Sequence, residues 1–233
     1  MKNETIGVLG GMGPVTSANF YCAMIKYAQR KHKAVKDTDF PQIIINSLPL
    51  YGFDETGVLD KGLVLNQLKE GILTLENAGC DFIVIPCNTV HCFIDELRDN
   101  SKIPILSIIE ETTKVIQERK IEPIGILASE TSLKLKLYEN ALKAKQISFR
   151  TPAKEHYPTI TALILDVMGG NYENNTKILN IIGEMSQSIK GIILGCTELH
   201  SAVKQSDTTV AVFDSLTILA EASVDKALIK SHR

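Results

Sequence analysis

Residues 82–91 read FIVIPCNTVH and residues 192–200 read IILGCTELH. Each stretch is a short β-branched apolar run, followed by a cysteine, a threonine and, four residues after the cysteine, a histidine. Such runs are typical of buried parallel strands, and a helix-like segment follows each of them. We therefore expect Cys87 and Cys196 at strand ends, the edge at which open α/β sheets bind ligands. There a helix N-terminus would favour the thiolate.

The flanking sequence alternates short apolar runs with segments of helical periodicity. We expect strands at 6–9, 43–46, 82–85, 105–109, 124–127, 192–194 and 210–213, and helices at 16–29, 61–78, 91–98, 132–143, 159–168, 173–188 and 216–229. Strict β/α alternation predicts an α/β fold with parallel sheets flanked by helices. Polar residues 31–39 and 54–57 are interpreted as mobile loops over a cleft.

The two cysteine motifs lie about half a chain length apart, which predicts one motif in each of two similar lobes with an active site in the cleft between them. We place one chain crossing near Pro104 and expect the last strand and helix to return to the first lobe. The predicted domains are residues 1–103 plus 209–233, and residues 104–208. Two thiols on facing lobes would reach one substrate from opposite sides.

Composition excludes several classes of function. The 233 residues are 44% hydrophobic and 22% charged, with a net charge of −2, which is typical of a globular protein and gives no argument for nucleic-acid or membrane partners. No apolar run is long enough to span a bilayer, and the first residues lack the features of a secretory signal. We expect a cytoplasmic protein whose five cysteines are reduced rather than a disulfide framework.

The sequence GGMGP at residues 10–14 follows the first predicted strand. Gly11 and Gly13 match the start of the dinucleotide fingerprint, but Thr16 stands at its third glycine, and the Gly-Lys-Ser/Thr of a phosphate-binding loop is absent. The loop exposes backbone N–H groups, which suit a carboxylate. The alternative is a loop that only turns the chain. No nucleotide cofactor is predicted.

Cys87 and Cys196 are the candidate catalytic residues. A free thiol has a pKa near ~8.5 and acts as acid or base near neutral pH without a large shift. Repulsion between two nearby thiolates favours one thiolate and one thiol, which a two-base proton transfer needs. The alternative is that each cysteine is a small buried apolar residue. Cys22, Cys80 and Cys92 lack this context and are assigned to the core or to helix faces.

Zinc is the competing interpretation of these motifs, because two cysteines and two histidines form a common structural zinc site. His91 and His200 each lie a full helical turn past their cysteine, on separate lobes, so we predict no metal and assign both to packing or support. Asn88, Thr89, Thr197 and Glu198 fill the turns after the cysteines. We expect them to cap the helices and to contact substrate.

GGMGP, Pro-Cys-Asn-Thr-x-His and Gly-Cys-Thr-Glu, in that order, resemble the aspartate/glutamate racemase superfamily, most closely its aspartate racemase branch. The resemblance spans nearly the whole chain. It implies two α/β lobes, a homodimer and a cofactor-independent amino-acid racemase with Cys87 and Cys196 as its two bases. It also implies substrate contacts, which by position are Met12, Gly13, Asn88, Thr89, Thr131, Thr197 and Glu198.

One departure concerns the substrate. Aspartate racemases carry Pro-Asp-Arg after the second strand and a lysine near the end of a later helix, whereas this chain has Phe53 and Met168 near those positions. A substrate carboxylate left unpaired in a cleft would be costly. Aspartate is therefore the default substrate by resemblance only. The alternatives are a racemase or isomerase of another substrate, and a non-catalytic small-molecule-binding relative.

Overall fold

The computed structural model describes residues 3–54, 57–171 and 175–228. The strands are β1 (Ile6–Gly10), β2 (Ile43–Ser47), β3 (Phe53–Asp54), β4 (Gly57–Val58), β5 (Phe82–Val84), β6 (Ile105–Leu106), β7 (Ile124–Ala128), β8 (Phe149–Arg150), β9 (Gly191–Gly195) and β10 (Ala211–Asp214). The α-helices are α1 (Pro14–His32), α2 (Lys61–Asn77), α3 (Ile94–Asp99), α4 (Ile108–Arg119), α5 (Glu130–Lys134), α6 (Leu137–Ala144), α7 (Tyr157–Met168), α8 (Thr176–Met185), α9 (Leu199–Ala202) and α10 (Ser215–Ala227).

In the described part of the chain, eight of the ten strands form two four-stranded parallel sheets. The first has the order β2-β1-β5-β6 and the second the order β10-β9-β7-β8. The central strands β1, β7 and β9 are buried along their whole length. Continuous apolar runs such as these are what a sheet covered by helices on both faces requires. The predicted α/β class, with two similar lobes built on parallel sheets, is confirmed.

One hydrophobic cluster joins the two lobes. It contains Ile6 and Phe82 of the first sheet together with Ile124 and Phe213 of the second. Helix α10 packs against both α1 and α4, and its buried Leu216 belongs to the same cluster. The two sheets are therefore held through shared helices, so that burial of apolar surface fixes their relative placement.

Sheet membership corrects the predicted course of the chain. Strand β10 pairs with β9 and so belongs to the second sheet, although we expected residues 209–233 to return to the first lobe. Strand β6 pairs with β5 in the first sheet, beyond the boundary expected after residue 103. Helix α10 contacts α1 of the first lobe. Division of the chain into folding domains stays a prediction.

Local differences from the expected elements have identifiable causes. The run 105–109 is not one strand: Ser107 accepts a hydrogen bond from the Glu110 N–H and caps α4, as the pattern Ser-x-x-Glu indicates. The helix expected at 91–98 begins as a 3-10 helix, Thr89–Phe93, and continues as α3. The helix expected at 132–143 is interrupted at Lys136, whose φ is 55°.

The expected loop at 31–39 is in part ordered, because α1 continues to His32 and a 3-10 turn spans Asp37–Asp39. Residues 55–56 of the second expected loop, 173–174 of an expected helix and 229–233 at the end of the predicted first domain lie outside the described residues. Within those limits, none of the helices combines the length and apolar character needed to cross a bilayer.

Candidate active site

Cys87 lies three residues beyond the end of β5, with 8% of its surface exposed. Its backbone carbonyl is 2.8 Å from Nδ1 of His91, and the N–H of Ile108 donates to Nε2 of the same ring at 3.2 Å. Both ring nitrogens are satisfied when Nδ1 carries the proton. Burial lowers the pKa of His91 to about 4, so the ring is neutral and ties the Cys87 turn to the start of α4.

Cys196 directly follows β9 and is equally buried. Its thiol donates a hydrogen bond to Oε2 of Glu198 at 3.0 Å. Glu198 is itself buried and also accepts from the hydroxyls of Thr197, at 3.3 Å, and Thr16, at 3.0 Å. An ionised carboxylate accepts all three bonds. Because the bond to Cys196 uses the thiol proton, it favours the protonated form of that cysteine.

The glycine loop lies against the second cysteine segment. The bond between Thr16, in the first turn of α1, and Glu198 joins the two lobes. A Cβ placed on Gly13 would lie 3.2 Å from Oε1 of Glu198, so the absence of a side chain there allows this close approach. Met12, 9% exposed, packs in the same apolar cluster as Cys87. The glycine loop and the two cysteine segments therefore meet at one place, as the strand ends of two facing parallel sheets allow.

A group of hydroxyls faces the first cysteine segment from the second lobe. Thr89 Oγ1 is 3.1 Å from Oγ of Ser132 and 3.4 Å from Oγ of Ser129. Thr131 lies next to Ser132 on helix α5 and is buried. Its Oγ1 has no hydrogen-bond partner among the described residues. A Cβ on Gly57 would lie 3.3 Å from that oxygen. Buried polar atoms are usually paired, so the unpaired Thr131 hydroxyl is an exception at this surface.

Asn88 and Glu198 occupy N-cap positions, as expected, but neither side chain makes a capping hydrogen bond. The Asn88 amide is buried, donating to Oγ of Ser215 at 3.2 Å and accepting from the hydroxyl of Tyr138 at 2.7 Å. The helices after the two cysteines are short, a 3-10 helix followed by α3 in one case and α9 in the other. Their dipoles are therefore small.

His200 pairs with a carboxylate of its own lobe. Its Nδ1 is 2.6 Å from Oδ2 of Asp214, and this hydrogen bond raises the pKa of His200 above its ordinary value. With His91 bonded to backbone at both nitrogens, the two Cys/His pairs do not form a common ligand set. Among the described residues no group of three or more His, Cys, Asp or Glu side chains is placed to hold a metal ion.

A small cavity lies beside Glu198. It has a volume of about 40 Å³ and is lined by apolar Pro14, Val15, Val167 and Met168, by polar Thr16, Asn19 and Ser201, and by Gly13 and Glu198. Val15 and Met168 are 45% and 41% exposed and stand at its mouth. Of the described residues that line it, Glu198 alone is charged. The described lining of the cavity therefore contains no cationic side chain.

Sequence reasoning missed Thr16, Ser129, Ser132, Tyr138 and Ser215. Ser129 and Ser215 carried a usable signal, because each follows a predicted strand at the ligand-binding edge. Tyr138 carried none, since it lies inside a helix and reaches Asn88 across 50 positions of sequence.

Fold and site define a class of protein: a two-lobed α/β protein whose two similar parallel sheets each carry a buried cysteine after a strand. Comparison with known proteins narrows that class. Residues 9–223 match the family model described as Asp/Glu/Hydantoin racemase. The chain therefore belongs to this family, confirming the resemblance, and its enzyme class is that of an amino-acid racemase.

Individual relatives agree with this membership. The chain is 29% identical over 226 residues, 96% of its length and 98% of the relative's, to the broad specificity amino-acid racemase RacX of Bacillus subtilis (strain 168). An aspartate racemase homologue from Pyrococcus horikoshii OT3 superposes with a TM-score of 0.82 at 28% identity, covering 96% of this chain and 99% of that one. The aspartate racemase of Picrophilus torridus shares the fold, with a TM-score of 0.83 at 23% identity and coverage of 96% and 94%.

Proposed function

We propose that the protein interconverts the enantiomers of an amino acid by proton transfer at Cα between two thiols, Cys87 and Cys196, without a cofactor. The observation that carries the proposal is the meeting of the two cysteine segments at one inter-lobe surface, where Thr16 bonds to Glu198 and Asn88 to Ser215. One thiol removes the α-proton from one face, and the other delivers a proton to the opposite face.

The hydrogen bond from Cys196 to Glu198 suggests how the protons are distributed at rest. Cys196 rests as the thiol, with Glu198 as acceptor, and Cys87 provides the thiolate. When Cys87 takes the α-proton, a carbanion forms that the Cys196 proton quenches. The Cys196 thiolate then remains and Cys87 is protonated. The return reaction restores the first state, since each thiol is acid in one direction and base in the other.

The substrate contacts proposed are those predicted from the sequence. Backbone N–H groups at Met12 and Gly13 and the side chains of Asn88, Thr89, Thr131 and Thr197 would bind the α-carboxylate and ammonium groups. Thr131 has the strongest support, because its buried hydroxyl lacks a partner among the described residues. The role proposed for Glu198 is to act on Cys196, since protein donors already occupy both of its oxygens.

We propose amino acids with uncharged side chains as the substrate class, in place of aspartate. The support is the apolar lining beside Glu198, where Val15, Val167 and Met168 stand. An aspartate side chain would lie near Glu198 without a cation, at a desolvation cost of several kcal/mol. The name of the Bacillus subtilis relative, a broad specificity amino-acid racemase, is compatible with this class.

The homodimer and the cytoplasmic location are proposals too. Exposed apolar side chains of the first lobe support the dimer: Tyr21 of α1 is 43% exposed, Ile45 of β2 is 40% exposed and Val35 is 84% exposed. Burial of such a surface by a second copy is favourable. A two-thiol reaction needs reduced cysteines, which the cytoplasm supplies.

The decisive experiment is racemisation in deuterium oxide, with a panel of single-enantiomer amino acids. We expect the product enantiomer to carry deuterium at Cα from its first formation, while recovered substrate gains little, because different thiols remove and deliver the proton. Cys87→Ser and Cys196→Ser should each fold and lose activity by about a hundredfold or more. Cys80→Ser, at a buried cysteine away from the site, is the matched control.

Two results would overturn the proposal. Early product that retains protium at Cα indicates a single base. Activity lost in chelator and restored by zinc indicates metal chemistry. Binding of an amino acid without any turnover would instead favour the non-catalytic alternative.

A further inference from the structure

A continuous line of buried hydrogen bonds connects the two cysteine segments. The hydroxyl of Tyr138 donates to Oδ1 of Asn88 at 2.7 Å, and the Asn88 amide donates to Oγ of Ser215 at 3.2 Å. The Ser215 hydroxyl then donates to the backbone carbonyl of Leu194 at 2.7 Å. Asn88 is the residue after Cys87, and Leu194 lies two residues before Cys196. The line therefore runs from one thiol-bearing segment to the other.

The ring of Tyr138 contacts the second segment directly. A Cβ on Gly195 would lie 2.9 Å and 3.1 Å from ring carbons of Tyr138, so the ring packs onto the backbone immediately before Cys196. At its other end the hydroxyl reaches Asn88. One side chain thus touches the neighbours of both thiols, and its dimensions set a minimum distance between those two segments.

Every member of the line is buried, since Tyr138 is 1% exposed, Asn88 3% and Ser215 0%. Burial raises the pKa of Tyr138 well above its ordinary value. The phenol therefore keeps its proton near neutral pH and acts as a hydrogen-bond donor to Asn88. Neither Tyr138 nor Ser215 is needed as acid or base in the two-thiol reaction, so both are unused by that mechanism.

We propose that Tyr138, with Ser215, is a positioning residue that sets the separation of Cys87 and Cys196 across the substrate. The inference rests on the proposed two-thiol function. A two-base reaction is sensitive to this separation, because both sulfurs must reach opposite faces of one carbon. Buried, fully paired side chains hold such geometry more rigidly than loop contacts do.

Tyr138→Phe keeps the ring and removes only the hydroxyl, and Ser215→Ala removes the second link. A misplacement of about 1 Å costs roughly a hundredfold in rate, so we expect kcat to fall about tenfold to a hundredfold in each variant. KM should change by less than about threefold, because the groups proposed to contact substrate remain. The double variant should be less impaired than the product of the single effects predicts, since the two residues act in one line.

Alkylation of each thiol by iodoacetamide, followed peptide by peptide with mass spectrometry, supplies a readout that does not depend on turnover. In Tyr138→Phe the alkylation rates of Cys87 and Cys196 should differ from wild type by about threefold or more, because thiol reactivity follows local environment. Cys22, which is exposed, should react at an unchanged rate.

Two matched controls separate positioning from general loss of stability. Ser223→Ala removes an equally buried serine hydroxyl from the same helix, where it bonds to the Leu219 carbonyl at 2.6 Å. Tyr27→Phe removes a phenol hydroxyl that bonds to Asp225. Both controls should retain kcat and both alkylation rates.

Folded Tyr138→Phe with kcat within about twofold of wild type would overturn the inference, as would an equal loss in the controls. If the wild-type protein racemises no amino acid, the proposed function fails on its own. In that case the alkylation rates decide this inference, and rates equal to wild type at both cysteines overturn it.

Discussion

The contact between Cys196 and Glu198 gives a quantitative prediction for Glu198→Gln. Glutamine has nearly the same shape and preserves a bond with Thr16, but it removes the negative charge beside the sulfur. Its amide also offers a donor where the carboxylate was an acceptor. Both changes stabilise the Cys196 thiolate, so we expect the pKa of Cys196 to fall.

The size of the effect follows from the 3.0 Å separation of Sγ and Oε2. Coulomb's law gives about 1.4 kcal/mol between two unit charges at this distance in water, and about 5.5 kcal/mol at an effective dielectric constant of about 20. At 1.36 kcal/mol per pKa unit, the pKa of Cys196 should fall by about 1 to 4. A thiol that has lost its proton cannot act as the acid, so kcat/KM should fall about a hundredfold or more at neutral pH.

The assay is the pH dependence of Cys196 alkylation, measured alongside racemisation in both directions. Because the free enantiomers have equal free energies, kcat/KM must fall by the same factor in each direction. Glu139→Gln is the matched control, since Glu139 is similarly buried and lies outside the site. An alkylation midpoint that stays the same or rises in Glu198→Gln would refute the role assigned to this carboxylate.

Three further predictions concern stability and specificity. Burial lowers the pKa of His91 to about 4. Below about pH 6.5 the unfolded chain binds a proton at this residue, whereas the folded protein does not. The free energy of unfolding should therefore fall by up to about 3 kcal/mol as pH decreases from about 6.5 to 4. Urea titrations should show less of this pH dependence in His91→Gln, and an equal dependence would contradict the assignment. Gly195→Ala places a Cβ 2.9 Å from the Tyr138 ring and should destabilise the fold by about 1–3 kcal/mol. Gly183→Ala, in open space on α8, should instead stabilise the fold by about 0.5–1 kcal/mol. Thermal melts that rank the two variants in the opposite order would show the packing argument to be wrong. Met168→Lys adds a cation beside the cavity and should raise kcat/KM for aspartate about tenfold. Steady-state kinetics that show no increase would indicate that the side chain of the substrate binds elsewhere.

Local patterns in the sequence were sufficient for most of the fold. The apolar runs at β1, β7 and β9 could be read because each is buried along its whole length. The placement of Cys87 and Cys196 at strand ends followed from the same runs. The start of α4 was also readable, but the apolar run that continues through Ile109 concealed the cap at Ser107.

Contacts between distant parts of the chain could not be predicted from local sequence patterns. Whether β10 joins the first or second sheet depends on strand pairing, and both choices satisfy the same local pattern. Thr16 and Glu198 are separated by 182 positions, and neither residue type indicates the other. The electrostatics of the second thiol, which depend on that carboxylate, could therefore be derived only once the two lobes were placed together.

The order of strands in the two sheets has an evolutionary consequence. With the β3–β4 hairpin set aside, each lobe places its strands, counted along the chain, in the order second, first, third, fourth. Cys87 follows the third strand of one lobe and Cys196 the third strand of the other. Duplication and fusion of a half-sized ancestor produces this pattern. Such an ancestor, paired with itself, would already have presented equivalent thiols to a molecule held on the twofold axis, and fusion would then have let the residues around the two cysteines diverge.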